Sequence, residues 1–230
     1  MAPLSQVLDI LEAHYGPQLP GWPTDPYLFL VWWHCGYPAS DAACAKGWAS
    51  LQSRVGVDPD RLLAASQSHL AAVLKPGGMV PELRALRLKE IAEKVQKEFG
   101  GDLAAALKRL SASQARAALR KFPGIGNPGA DRILLFGGLL PVAAVPSNCP
   151  QVLVRIECGR ELENYGRTYA RAQEIVAAQT PENFDVRARA YLLLQRHGQQ
   201  LCKRSGPKCA ICPVAHFCAF AAPGSDVQAV

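Results

Sequence analysis

The chain has 230 residues, 49% hydrophobic and 19% charged, with a net charge of +6 and an isoelectric point near 9.0. That length suffices for one domain or two small ones with a real core, and no apolar run approaches the roughly 18 residues of a membrane span. Residues 1–18 carry no basic region followed by an apolar stretch and a small-residue cleavage site. Export is therefore not expected, and the chain is read as cytoplasmic, nucleoid-associated if bacterial. The basic excess suits a polyanionic partner without requiring one.

Alanine and leucine dominate and β-branched runs are scarce, which favours an all-α fold. Residues 5–15 form a short amphipathic segment around Leu8, Ile10 and Leu11. A Pro- and Gly-rich link, 16–26, leads into the apolar run 27–33, and 41–54 predicts the next helix, ending before Gly56. Short helices are expected over 59–65 and 68–74, broken by Lys75-Pro-Gly-Gly78. The clearest helix is 82–99, where Leu83, Leu86, Ile91, Val95 and Phe99 recur at helical spacing with Lys and Arg between them. Gly100-Gly101 stops it. Residues 102–110 follow, and Ser111 is placed to N-cap 112–122. After Gly137-Gly138, helices are expected over 152–158, 169–178 and 186–197, and the small, polar end 222–230 is expected to fray.

Between two of these helices stands Phe122-Pro-Gly-Ile-Gly-Asn127, followed by Pro128-Gly-Ala-Asp131. Two glycines flanking one apolar residue permit a tight turn with outward amides, and Pro128 suits the first turn of a helix that starts at once. Exposed amides at a helix start make a site for a phosphate oxygen, and Ile125 is expected to plug and fix the turn. A lone Gly-x-Gly also serves ordinary helix–turn–helix corners. The preceding Lys108, Arg109, Arg116, Arg120 and Lys121 turn the reading toward DNA contact.

There are eight cysteines. Cys35, Cys44, Cys149 and Cys158 are scattered through apolar or small-residue settings that suit buried structural cysteine. The other four, Cys202, Cys209, Cys212 and Cys218, fall within seventeen residues at spacings of six, two and five, with Gly206, Pro207 and Pro213 supplying turns. Without an export signal, a metal centre is the better reading than disulfides. Four thiolates suit tetrahedral zinc or an iron–sulfur cluster. Zinc sites more often pair two Cys-x-x-Cys knuckles, and this loop has one; spacing leaves both metals open.

The hairpin and the terminal cysteines, in this order, resemble the helix–hairpin–helix DNA glycosylases of the endonuclease III type, over roughly residues 25–218. The resemblance implies an all-α, two-domain fold with a DNA cleft between a helical bundle and a cluster domain. The bundle is assigned to 24–137, the cluster domain to 1–23 with 138–221, and a flexible tail to 222–230. It also implies a [4Fe–4S] cluster on Cys202, Cys209, Cys212 and Cys218, mainly structural because four thiolates leave no open iron site. The implied partner is double-stranded DNA, damaged or not, met by a monomer through Lys121, Pro123, Gly124, Ile125 and Gly126 and through the basic loop residues Lys203, Arg204 and Lys208.

Members of that family extrude a base and cleave its bond to the sugar. They use a lysine nucleophile just after the hairpin and a carboxylate further on. Matching the motifs puts Pro128 at the lysine position and Pro146 at the aspartate position, each without charge, proton or nucleophile. The expectation is therefore a DNA-binding relative whose glycosylase and lyase activity is lost or altered. Two alternatives stand beside it: an active monofunctional glycosylase with an unusual lesion, for which Asp131 is the substitute carboxylate, and a structural or redox iron–sulfur protein with no nucleic-acid role. Asp131 is otherwise expected to face solvent or pair with Arg132. Tyr37 stands near the position that fills the gap left by a flipped base, with a packed surface tyrosine as the plainer reading, and His34 is expected in the core or at the surface.

Overall fold

The computed structural model describes residues 3–222, so 223–230 of the expected tail lie outside the described residues. Every regular element among the described residues is helical. In chain order these are α1 (Leu4–Tyr15), α2 (Pro26–His34), α3 (Asp41–Arg54), α4 (Pro59–Ala64), α5 (Gln67–Leu74) and α6 (Pro81–Phe99). They continue with α7 (Leu103–Lys108), α8 (Ala112–Leu119), α9 (Asn127–Phe136), α10 (Gln151–Cys158), α11 (Tyr165–Gln179) and α12 (Phe184–Gln200). None is long and apolar enough to cross a membrane. Side-chain caps set the starts: Asp102 Oδ1 accepts from Ala105 N at 2.9 Å, and Ser111 forms a reciprocal box with Gln114.

The described residues divide into two compact units, Pro20–Gly126 and the terminal segments 3–19 with 127–222. In the middle unit, α6 packs on α4, α5 and α2 around Val31, Leu51, Leu62, Leu70, Leu74, Leu88 and Ala92. In the terminal unit, α1, α10, α11 and α12 close over Leu8, Leu11, Val152, Val154, Ile175 and Leu193. The sequence assigned residues 127–137 to the bundle; α9 instead belongs to the terminal unit, where it packs on α12.

Two further expectations are corrected. Leu83 and Leu86 do not line the core face of α6 but are exposed, while Arg84, Ala85 and Leu88 are buried. Arg84 takes the inward position because its guanidinium closes the preceding loop, donating to Met79 O (3.0 Å), Gly78 O (2.6 Å) and Cys35 O. Cys158 is exposed rather than buried like Cys35, Cys44 and Cys149. It is the last residue of α10.

Candidate functional site

The hairpin is a turn cut from the core. Phe122 N donates to Leu119 O at 3.1 Å and Ile125 N to Phe122 O at 3.3 Å. Phe122 and Ile125 are buried, and Phe122 stacks on Phe99 with ring centroids 5.7 Å apart. Gly124 has φ 67°, a left-handed conformation that glycine adopts without steric cost. A Cβ there would also stand 3.3 Å from His34 Cε1. His34 is fully buried, with Nε2 2.8 Å from Pro123 O. Burial, outweighing that hydrogen bond, holds its pKa down to about 4. The ring is thus neutral at pH 7 and Nε2 carries the proton that the carbonyl accepts. His34 is therefore a core residue that anchors the hairpin, a role its position in an apolar helix did not announce.

The amides of Gly124 and Gly126 have no hydrogen-bond partner among the described residues, and both glycines and Lys121 are exposed. Outward donors beside a cation are what an anionic oxygen requires. Tyr37 is half-buried and stacks on Trp33, centroids 4.6 Å apart at 24°. In the same unit Met79 is 72% exposed, followed by Val80 at φ 51°. A β-branched residue in that region is strained, and the Arg84 bonds to Gly78 O and Met79 O hold it there. This exposed, clamped apolar turn was invisible in the sequence because it depends on a buried arginine.

Pro128 is the second residue of α9 and half-buried, and Pro146 is buried with its carbonyl accepting Cys149 N at 3.2 Å. Of the two expectations for Asp131, solvent exposure or pairing with Arg132, the first is corrected: Asp131 is buried. Its Oδ2 accepts from Gln173 Nε2 at 2.8 Å, and Gln173 also donates to Ala143 O at 3.3 Å. That engagement suits a structural tie between α9, α11 and the segment before Pro146.

Cys202, Cys209, Cys212 and Cys218 line one recess, with Ile156, His197 and Val214 among its other walls. Among the described residues, no three His, Cys, Asp or Glu side chains gather as ligands of one metal ion. Burial pushes the Cys202 thiol up to about 11, partly offset by Arg155, and raises Cys212 and Cys218 as well. Arg155, from α10, organises the loop. It donates to Lys203 O (2.8 Å), Arg204 O (3.0 Å) and Cys202 Sγ (3.8 Å), pairs with Glu161 Oε1 (2.7 Å) and lies 4.7 Å from the Phe220 ring centroid. Gln151 Nε2 adds a bond to Cys202 O at 3.1 Å. Lys203, Arg204 and Lys208 are exposed, with Arg204 paired to Glu161 at 3.1 Å. Arg155, Gln151 and His197 escaped the sequence reading; all lie on helices it predicted, but their partners lie far along the chain.

No protein-family model matches the chain. It is 28% identical over 173 residues to a thymine/uracil-DNA glycosylase of Pyrobaculum aerophilum, covering 70% of this chain and 66%, just under two thirds, of that relative. It is 24% identical over 180 residues to endonuclease III of Treponema pallidum, covering 78% and 77%. Among solved structures, a trapped endonuclease III–DNA covalent intermediate superposes with TM-score 0.74 at 17% identity, over 96% of this chain and 98% of that one. A thermostable thymine-DNA glycosylase superposes with TM-score 0.69 at 18% identity, over 95% and 96%.

Proposed function

We propose that this chain is a helix–hairpin–helix glycosylase relative of the endonuclease III type, like the glycosylases and endonuclease III it resembles, and that it binds duplex DNA without that family's usual base excision and strand cleavage. The observation that carries this is a contrast within one stretch of chain. Immediately before Pro128, the hairpin keeps a glycine at φ 67°, two exposed unpartnered amides and a buried histidine holding the turn. Pro128 and the buried Pro146 then stand where the family's pattern would put nucleophile and carboxylate. Backbone contact survives such replacements because it draws on amides and on Lys121, whereas Schiff-base formation needs an amine and oxocarbenium stabilisation needs a charge.

Lys203, Arg204 and Lys208 supply a second set of phosphate contacts. Tyr37 and the clamped Met79 are the side chains placed to enter a base stack, as apolar and aromatic wedges do. Asp131 gives the monofunctional alternative little support, since it is buried and already bonded to Gln173.

The four cysteines would hold the [4Fe–4S] cluster. Support comes from their sharing the walls of one recess, which fits a group that brings its own irons and sulfides better than one ion at about 2.3 Å from each sulfur. When bound, such a cluster supplies a saturated, electron-accepting centre that ties the loop together. Arg155 and Gln151 shape that loop, and Lys203, Arg204 and Lys208 face solvent from it.

The test is incubation of the purified protein with duplexes bearing oxidised pyrimidines, uracil, mismatches and abasic sites. Salt-dependent binding with no base release, no strand cleavage and no borohydride-trapped adduct is expected. A trapped adduct or released base would overturn the loss of chemistry. Absence of binding at low salt would overturn the DNA reading altogether.

A further inference from the structure

A polar chain enters the cysteine recess from outside the set of thiols. His197, on α12, is buried and places Nε2 3.6 Å from Cys212 Sγ. Its Nδ1 lies 3.0 Å from the hydroxyl of Tyr15, the last residue of α1. Neither ring nitrogen makes any other hydrogen bond among the described residues, so the imidazole is committed to this one alignment.

The partners decide the tautomer. With Cys212 as a thiolate, a lone pair on Nε2 would face an anion, so the proton resides on Nε2 and is donated to sulfur. Nδ1 is then an acceptor, and the Tyr15 O–H is the donor that meets it. The chain therefore runs in one direction, O–H to nitrogen and N–H to sulfur, and no group in it is left unused.

We propose that Tyr15 and His197 are positioning residues that set the reduction potential of the centre held by Cys212. The proposal rests on the iron–sulfur reading above. A hydrogen bond donated to a ligating sulfur draws charge from it and favours the more negative oxidation state of a cluster. Tyr15 acts through His197, by locking the tautomer and ring orientation in the way that outer partners orient metal-bound histidines. Arg155 also reaches a ligand, Cys202 Sγ at 3.8 Å, but the same guanidinium carries two loop carbonyls and Glu161. The relay carries no such structural duty, and it links α1 to the recess across the chain's two terminal segments.

The experiment is an optical redox titration of the purified full-length protein, with iron and sulfide quantified in parallel. His197→Phe, a ring without a donor, is expected to move the midpoint to a more negative potential at full iron content. Tyr15→Phe moves it the same way by less, and His197→Gln, which retains an N–H, returns toward the parent value. An unchanged midpoint in iron-loaded His197→Phe overturns the proposal. Should that variant not retain iron, Tyr15→Phe decides, and an unchanged midpoint there overturns it equally. A parent protein without iron and sulfide defeats the cluster reading and this inference together, an outcome distinct from a loaded protein whose potential ignores His197.

Discussion

The hairpin and the cysteine loop are both irregular segments offered to solvent, yet they are held in opposite ways. The hairpin is fixed from inside: Phe122 and Ile125 are buried, Phe99 stacks beneath, and one neutral imidazole bonds the turn. From Cys202 to Cys218 the loop buries only Val214 and has only two short 3₁₀ turns, Cys209–Ile211 and Ala215–Phe217, as regular structure. Polar anchors hold it, chiefly Arg155. A turn fixed by apolar burial keeps its shape whenever the core folds, whereas a loop fixed chiefly by one guanidinium loses it when that anchor goes.

The largest effect should follow from attacking the loop's anchor. Arg155→Met removes a side chain that is 5% exposed, leaves Lys203 O and Arg204 O without their partner, and leaves Glu161 only its contact with Arg204. Breaking a buried pair of this kind costs about 3 kcal/mol or more. Urea denaturation should show that loss, and iron content should fall with it. Retained iron and parent-like stability would mean that the loop, like the hairpin, is held by burial.

A smaller effect tests the hairpin's anchor through acid. The folded His34 pKa of about 4 lies below the ordinary histidine value near 6.5, so the unfolded ring takes up its proton first as pH falls. Its contribution is full above about pH 6.5 and declines by about 1.4 kcal/mol per unit until about pH 4, where the folded ring protonates too. Between pH 6.5 and 5 that amounts to about 2 kcal/mol. All four tryptophans, Trp22, Trp32, Trp33 and Trp48, belong to the middle unit, so their fluorescence follows the unit that holds the hairpin. His34→Ala should be less stable at pH 7 yet lose less on acidification; an unchanged acid slope would place the titration elsewhere.

Local signals in the sequence located nearly every helix. Ser111 caps α8 as read, and α3 runs over the predicted residues, because caps, glycine stops and apolar spacing act within a few positions. The anchors did not show because each works at long range. His34 bonds a carbonyl 89 positions away and Arg84 one 49 positions away. Leu83 and Leu86 share the apolar spacing of α6 yet are exposed, and Arg84, with three carbonyl partners outside the helix, is buried beside them. The burial of Asp131 escaped for the same reason, its partner Gln173 lying 42 positions on. Likewise, cysteine spacing suggested the ligand set, but Arg155, which holds the loop carbonyls, and His197, which meets Cys212, carry no spacing signature.

The smallest effects separate the two segments as DNA contacts. Each phosphate neutralised by a cation contributes about 0.9 to the slope of log affinity against log salt. Replacing Lys203, Arg204 and Lys208 together by Ala should lower that slope by about 2; a drop of three contacts is not expected because Arg204 already pairs with Glu161 at 3.1 Å. Lys121→Ala should lower it by about 1. Gly124→Ala should behave differently. It strains a position at φ 67° and presses on His34, so affinity falls, but the donors it displaces are neutral amides that release no counterion, and the slope stays. A reduced slope in Gly124→Ala would show that the glycine serves mainly to place Lys121, making the hairpin, like the loop, a contact made by cations.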